Sequence, residues 1–206
     1  MTDIPREPVD PTAAPPPTPP SNWNVPNALT VLRILMVPLF GWLLLARGGA
    51  DPTLRWAALA VFLIAMLTDS LDGHIARSRN LITDFGKIAD PIADKALTGM
   101  AFIGLSIIGA LWWWVTIVIL VREWGITILR FFVIRYGVMP AGRGGKLKTV
   151  LQTVGLAILI APVTGVLWGI GVAAVAAALV VTVVTGVDYV LKARALVANS
   201  RDGRRS

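Results

Sequence analysis

Long apolar runs separated by short polar segments dominate the chain after residue 22. A helix that crosses the hydrocarbon core of a bilayer needs about 20 residues. Six segments reach this length when the charged stretch near residue 80 is counted as part of its helices. The pattern therefore predicts an all-α integral membrane protein with six transmembrane helices, at 27–46, 54–78, 84–108, 111–135, 147–167 and 171–193.

The second predicted helix carries acidic residues into the membrane. Its purely apolar part, from Trp56 to Leu67, is only about 12 residues long and is too short to span the bilayer alone. The helix must therefore continue through Asp69 and Asp72, which places both carboxylates inside the membrane near one face.

The first 22 residues differ sharply from the rest of the chain. They hold eight of the fourteen prolines and almost no aliphatic residues, a composition that does not form a packed core. We predict a disordered cytoplasmic tail at 1–22, a six-helix transmembrane domain at 23–195 and a basic cytoplasmic tail at 196–206. Residues 1–22 lack the continuous apolar stretch of a secretory signal peptide, so nothing in them indicates cleavage.

Composition and charge narrow the possible partners. The chain of 206 residues is 55% hydrophobic and has no cysteine, which excludes disulfides and thiolate metal sites. Its formal net charge is +7, but the basic residues fall between apolar runs and do not form one soluble patch. This distribution favours an anionic membrane surface or an anionic substrate over nucleic acid.

The lysine and arginine residues also predict an orientation. One set of loops is rich in basic residues, whereas the loops near Gly109 and Gly169 carry no charge. Because basic loops stay on the cytoplasmic side, we expect both termini and the charged stretch 69–94 to face the cytoplasm from the cell membrane.

Regular spacing aligns four aspartates within residues 69–94. Asp69 and Asp72 are three residues apart and share a face of the second helix. Gly86, Asp90 and Asp94 form an i, i+4, i+8 row on the third helix. The linker between the two helices is short, so we expect antiparallel neighbours whose carboxylate rows converge at the cytoplasmic end.

Converging carboxylates in a medium of low dielectric need a compensating cation. Ligation by oxygen alone suits Mg²⁺, Mn²⁺ or Ca²⁺ rather than zinc, and two metals bridged by carboxylates promote phosphoryl displacement. Gly73 and Gly86 leave room for a ligand to approach the backbone, while Arg77 supplies a donor fork for phosphate or base. Asp94 lies deepest along the third helix and is our candidate general base.

Two other interpretations of the aspartates stay open. They could simply form ion pairs with Arg77, Lys87 and Lys95, although ion pairs would not require the glycines or the aligned rows. They could instead mark a cation or proton pathway, as intramembrane carboxylates often do, although these cluster at one end and do not continue across the bilayer.

The stretch resembles the signature of the CDP-alcohol phosphatidyltransferase family, D-x2-D-G-x2-A-R-x8-G-x3-D-x3-D. All eight fixed positions are occupied, by Asp69, Asp72, Gly73, Ala76, Arg77, Gly86, Asp90 and Asp94. The resemblance implies six transmembrane helices, a homodimer, two divalent ions (Mg²⁺ or Mn²⁺), and transfer of a phosphatidyl or similar group from a CDP-linked donor with release of CMP. It further implies that Asp94 is both metal ligand and base, and that the other metal ligands are Asp69, Asp72 and Asp90.

Polar residues at the start of the first helix are candidates for the nucleotide pocket. Asn27, Thr30 and Arg33 lie at i, i+3 and i+6 on one face at the predicted cytoplasmic end; the alternative is a helix start with a snorkelling arginine. Together with the residues that the resemblance implies, the predicted contacts to the CDP-lipid are Asn27, Thr30, Arg33, Gly73, Ala76, Arg77, Thr83 and Gly86.

Basic residues outside the signature are candidate contacts to the phosphate of an acceptor; they are Arg122, Arg130, Lys146 and Lys148. Arg122, Lys146 and Lys148 have no evident acidic partner in the sequence. Glu123 and Arg130 are seven residues apart on one face, so a pair between them is an alternative for Arg130. Asp188 and Lys192, four residues apart, are expected to form an ion pair on the sixth helix.

Four stretches resemble bacterial phosphatidylglycerophosphate synthases: residues 24–34 and 84–99, the R-E pair at 122–123 and the G-K-x-K-T element at 145–149. This resemblance implies that CDP-diacylglycerol is the donor, glycerol 3-phosphate is the acceptor and the reaction belongs to phospholipid biosynthesis. Inositol phosphate, or phosphatidylglycerol in cardiolipin formation, are alternative acceptors; the lipid acceptor would need an open hydrophobic side entrance.

Overall fold

The computed structural model of the chain describes residues 24–78, 83–133 and 144–202, although the side chains of 70–78, 84, 87, 131, 144–146 and 197–202 are outside that description. Within these ranges every regular element is helical. The elements are α1 (Val25–Leu45), α2 (Pro52–Ser78), α3 (Asp84–Ile107), α4 (Trp113–Val133), α5 (Gly144–Ile160) and α6 (Gly165–Asp202), with a short 3₁₀ helix, Ala46–Gly49, after α1. The predicted all-α class and the six predicted helices are confirmed in this part of the chain.

Local sequence signals explain where the helices begin and end. The side chains of Asn24 and Thr83 cap α1 and α3 by accepting hydrogen bonds from the amides of Asn27 and Gly86. At the other end of α3, Gly109 adopts a left-handed conformation with φ of 75°, as helix C-terminal motifs favour.

The predicted bounds of α5 and α6 were wrong at the connection between these helices. The prediction carried the fifth helix to residue 167, but α5 ends at Ile160. Pro162 has no amide hydrogen and restricts the residue before it, so the helix stops just ahead of it. α6 then begins at Gly165, six residues before the predicted start at 171.

Consecutive helices run antiparallel. Arg33 on α1 pairs with Asp69 on α2, and Phe40 lies 5.7 Å from Phe62 between ring centroids, so the residue number rises on α1 as it falls on α2. The same reversal relates α3 to α4, where Lys95 contacts Thr127 and Ser106 contacts Thr116. It also relates α5 to α6, where Gly155 lies against Val175 and Ile158 against Gly171.

Helices separated by one other helix run parallel. Asn27 and Thr30 on α1 contact Thr83 and Asp90 on α3 in the same order along the chain. Arg122 and Arg130 on α4 likewise contact Thr185 and Tyr189 on α6. The starts of α1, α3 and α5 and the ends of α2, α4 and α6 therefore lie together at one end of the bundle, which we call the motif end.

The core lies around α1, which packs against both α2 and α3. Its largest buried apolar side chains include Phe40, Phe62, Phe102, Leu97 and Leu105. Many large apolar side chains also remain on the outer surface, among them Leu35 and Trp42. A soluble monomer rarely exposes apolar surface so widely, whereas a bilayer would cover it.

Three helical segments of the described chain are long and apolar enough to cross a membrane: Val25–Gly49, Pro52–Asp69 and Gly165–Leu196. They agree with a membrane protein. The remaining long helices do not meet the same length and composition criteria; α3, for example, contains Asp90, Asp94 and Lys95. The predicted number of six spans is therefore not confirmed by composition and stays a prediction.

Candidate active site

The first turns of α1 provide a buried polar face at the motif end. Asn27, Thr30 and Arg33 are 5%, 1% and 0% exposed, respectively. A fully buried guanidinium is unusual and requires an ionic partner. Its placement between α2 and α3 shows that this face points into the bundle and is not a snorkelling surface.

Polar contacts from α1 hold carboxylates of both neighbouring helices. Arg33 forms an ion pair with Asp69 on α2 at 2.7 Å. Thr30 donates its hydroxyl hydrogen to Asp90 on α3, with 2.5 Å between the oxygens. The two carboxylate rows therefore approach each other with α1 as the shared support.

A glycine at position 86 keeps the start of α3 open. Its amide donates to the hydroxyl of Thr83 at 3.1 Å, and this hydroxyl donates to the side-chain oxygen of Asn27 at 2.9 Å. A Cβ atom on Gly86 would lie 3.1 Å from that Asn27 oxygen, 3.3 Å from the Thr83 hydroxyl and 3.7 Å from Asp90 Oδ2. Any side chain at this position would thus occupy a small cradle lined by three polar groups.

The candidate base, Asp94, lies one turn beyond Asp90 on α3 and is partly buried. Its carboxylate interacts electrostatically with Asp69, Arg33, Glu123 and Lys148. Asp94 is therefore within electrostatic range of both the Arg33–Asp69 pair and a second charged cluster.

The donor chemistry of the described site fits a hard cation, because Asp69, Asp90 and Asp94 offer oxygen ligands only. Among the side chains that the structure describes, no three acidic, histidine or cysteine side chains form a metal-binding group. The fourth predicted metal ligand, Asp72, lies on α2, but its side chain is outside the description and is therefore not among these side chains. The same holds for three predicted contacts to the CDP-lipid, Gly73, Ala76 and Arg77.

The second charged cluster is centred on Glu123 of α4. Lys148 of α5 is only 7% exposed, and its ammonium group donates a hydrogen bond to Glu123 Oε1. Arg122 reaches the same oxygen at 3.2 Å, and its other terminal nitrogen donates to the Thr185 hydroxyl of α6 at 2.8 Å. One carboxylate therefore ties together three helices.

This cluster corrects two expectations about charge pairing. Arg122 and Lys148 were expected to lack an acidic partner, and both contact Glu123. Arg130 was considered as the partner of Glu123, but among the described side chains it lies over the ring of Tyr189, 5.9 Å from the centroid. The positions of α5 and α6 in the bundle bring Lys148 and Thr185 to these α4 side chains, and spacing within α4 does not reveal these pairs. The expected pair of Asp188 and Lys192 is confirmed, at 2.7 Å.

Sequence reasoning about the site missed Thr127, and it considered Lys95 only as an ion-pair partner of the aspartates. The ammonium group of Lys95 on α3 contacts the Thr127 hydroxyl of α4 and lies 5.5 Å from the ring centroid of Trp124. Glu123 and Thr127 are one turn apart on the same face of α4, and that spacing was the available signal. Lys95 therefore joins the helix that carries Asp94 to the helix that carries Glu123.

Arg122 lies on a different side of α4 from Thr127. It is part of the wall of an open groove of about 1180 Å³ between α4 and α6. The other α4 residues of the wall follow helical spacing, at Ile117, Val118, Val121, Gly125, Ile126, Leu129 and Val133. Among the predicted acceptor contacts with described side chains, Lys148 interacts electrostatically with Asp94; the side chain of Lys146 is outside the described set.

Comparisons with known proteins agree with these features. Residues 23–185 match the family profile described as CDP-alcohol phosphatidyltransferase. The chain is 50% identical over 170 residues, 82% of its length and 81% of the relative, to a probable phosphatidylglycerophosphate synthase of Mycobacterium tuberculosis strain H37Rv. It is 36% identical over 148 residues, 67% of its length and 77% of the relative, to the CDP-diacylglycerol–glycerol-3-phosphate 3-phosphatidyltransferase of Bacillus subtilis. The Rickettsia felis protein of the same name is 40% identical over 138 residues, 66% and 75% of the two chains.

Proposed function

The chain belongs to the CDP-alcohol phosphatidyltransferase family, and from this premise we propose that it transfers the phosphatidyl group of CDP-diacylglycerol to glycerol 3-phosphate. The products are phosphatidylglycerophosphate and CMP, in phospholipid biosynthesis. The observation that supports this acceptor best is the match over most of the chain to relatives named for the same reaction. The names of these relatives favour glycerol 3-phosphate over inositol phosphate and phosphatidylglycerol as the acceptor.

We further propose that all six helices cross the cell membrane. α3, α4 and α5 lie alongside the three apolar spans in an alternating up-and-down arrangement. At 1.5 Å per residue, the 21 residues of α4 extend about 32 Å, close to the thickness of a bilayer core. The excess of basic residues at the motif end favours a cytoplasmic location for this end and for both termini.

The carboxylates of Asp69, Asp72, Asp90 and Asp94 would hold two divalent ions, Mg²⁺ or Mn²⁺. Such ions would supply positive charge to the phosphate oxygens of the donor and of the CMP leaving group. Thr30 and Arg33 orient Asp90 and Asp69 from α1. The cradle at Gly86, together with Asn27 and Thr83, lets the CDP group approach the start of α3. Gly73, Ala76 and Arg77 contribute the α2 side of this pocket.

The transfer is a displacement at the phosphorus of the phosphatidyl group. A hydroxyl oxygen of glycerol 3-phosphate forms the new P–O bond, the bond between this phosphorus and the CMP oxygen breaks, and CMP leaves with the bonding electrons. Asp94 takes the hydroxyl proton; its electrostatic interactions with Asp69, Arg33 and Lys148 support this role. Lys148, with Arg122, Arg130 and Lys146, provides positive charge for the acceptor phosphate.

An acceptor panel tests this proposal directly. The purified protein in lipid vesicles is given CDP-diacylglycerol, a divalent ion and either glycerol 3-phosphate, inositol phosphate, serine or phosphatidylglycerol, and CMP release is measured. CMP should appear fastest with glycerol 3-phosphate and should require the metal. Faster CMP release with another acceptor would show that this acceptor is the substrate. Solute transport across sealed vesicles without consumption of CDP-diacylglycerol would refute an enzymatic function.

The homodimer implied by the family resemblance is part of the same proposal. Native mass measurement of the protein in detergent should give twice the mass of the chain. A monomeric mass with full activity would contradict this assembly.

A further inference from the structure

We infer that Glu123 is a positioning residue for acceptor binding: it holds the ammonium group of Lys148 in place for the acceptor phosphate. This inference rests on the proposed function, because it assumes that Lys148 contacts that phosphate. No role in the reaction was assigned to Glu123 from the sequence, where its only expected partner was Arg130.

The burial of Lys148 is the first observation. Its side chain is almost completely enclosed at the start of α5, and its amino group reaches Glu123 on α4. A buried ammonium group without a partner loses its hydration and becomes either mobile or neutral. The carboxylate of Glu123 therefore fixes both the position and the charge of Lys148.

The number of charges in the cluster is the second observation. Glu123 Oε1 contacts two cations, Lys148 and Arg122, so the group of three carries a net charge of +1. A lysine ammonium has three N–H donors, and the bond to Glu123 uses one of them. The cluster can therefore keep its internal ion pairs and still attract and bind a phosphate.

The location of the cluster is the third observation. Glu123 and Lys148 both act electrostatically on Asp94, and Lys95, the next residue on α3, is tied to Thr127 one turn from Glu123. A phosphate held by Lys148 would thus place the rest of a small acceptor beside the candidate base. A carboxylate whose only role was to join helices would not need to lie near Asp94.

Steady-state kinetics of four variants test the inference. In Glu123→Ala, the KM for glycerol 3-phosphate should rise by about tenfold or more, since one partner of a buried charge pair is lost. The KM for CDP-diacylglycerol and kcat should stay within about threefold of wild type. In Glu123→Gln, the amide oxygen still accepts from Lys148, so part of the affinity should return.

Lys148→Ala and the double variant Glu123→Ala/Lys148→Ala complete a cycle. If Glu123 acts through Lys148, the double variant should bind the acceptor no more weakly than Lys148→Ala alone. Asp188→Ala is the matched control, because it removes an exposed carboxylate from an ion pair on α6. Its three kinetic constants should be unchanged.

The outcomes separate this inference from the function on which it rests. If Lys148→Ala raises the KM for glycerol 3-phosphate and Glu123→Ala does not, the inference is wrong and the acceptor site stands. If Lys148→Ala has no effect on that KM, the proposed acceptor site itself fails. If Glu123→Gln raised the KM for both substrates by the same factor and also lowered the melting temperature, Glu123 would only join helices. That result would overturn the inference.

Discussion

Substitution of Gly86 by alanine should lower the activity while leaving the stability nearly unchanged. Alanine is favoured over glycine in a helix interior by about 0.5–1 kcal/mol; Gly86 lies in the first turn of α3, so the helix gains at most this amount from the change. The new Cβ atom would lie 3.1 Å from the Asn27 oxygen and 3.3 Å from the Thr83 hydroxyl, and these groups must move by a few tenths of an ångström. Weakening their hydrogen bond costs about 0.5–1.5 kcal/mol, so the two contributions to stability nearly cancel.

The effect on catalysis should be much larger. The methyl group would occupy the space in which the CDP group is proposed to approach α3, and it would shift the Asn27 and Thr83 side chains that line this space. Because a misplacement of about 1 Å can cost about 100-fold in rate, a shift of a few tenths of an ångström should lower kcat/KM for CDP-diacylglycerol by about tenfold. CMP release measures the activity, and thermal unfolding in detergent measures the stability.

Gly169→Ala is the control for this experiment. Gly169 also lies in a helix, but a Cβ atom there meets nothing within 4 Å, and the residue is far from the carboxylates. It should leave activity near wild type, and its melting temperature should be unchanged or slightly higher, since the helix gains from alanine without a steric conflict. Wild-type kcat/KM in Gly86→Ala would refute the reasoning that this glycine keeps the donor site open.

Three further outcomes are expected. Asp94→Asn should abolish CMP release but retain binding of the CDP-lipid in a filtration assay, and residual turnover near wild type would remove Asp94 as the base. Thr30→Val keeps the side-chain shape but removes the hydrogen bond to Asp90; since such a bond to a charged group contributes about 1.5–3 kcal/mol, kcat/KM should fall by about 10-fold to 100-fold. Arg55 donates to the carbonyls of Leu159, Ile160 and Ala161 at the end of α5, so Arg55→Ala should lower the melting temperature by about 5 °C. At low temperature the KM values of this variant should equal those of wild type. Altered KM values would show that the end of the bundle near Arg55 affects the site.

Local patterns were enough to predict the helices and the faces of the site. Apolar run length and the spacing of Asn27, Thr30 and Arg33 act within a few residues, so they can be read along the chain. The family signature identified the chemistry for the same reason, since its fixed gaps describe two helix faces. The end of α5 was mispredicted because a long apolar run was given more weight than Pro162.

Contacts between distant helices could not be predicted in the same way. The sequence indicated that Arg33 and Asp69 both face inward, but only packing of α1 against α2 joined them in an ion pair. Sequence spacing offered Arg130 as a partner of Glu123, whereas the position of α5 in the bundle supplied Lys148 instead. Helical periodicity determines the direction in which a side chain points, because it depends only on near neighbours. The charge that it meets depends on how whole helices pack, and this required the tertiary structure.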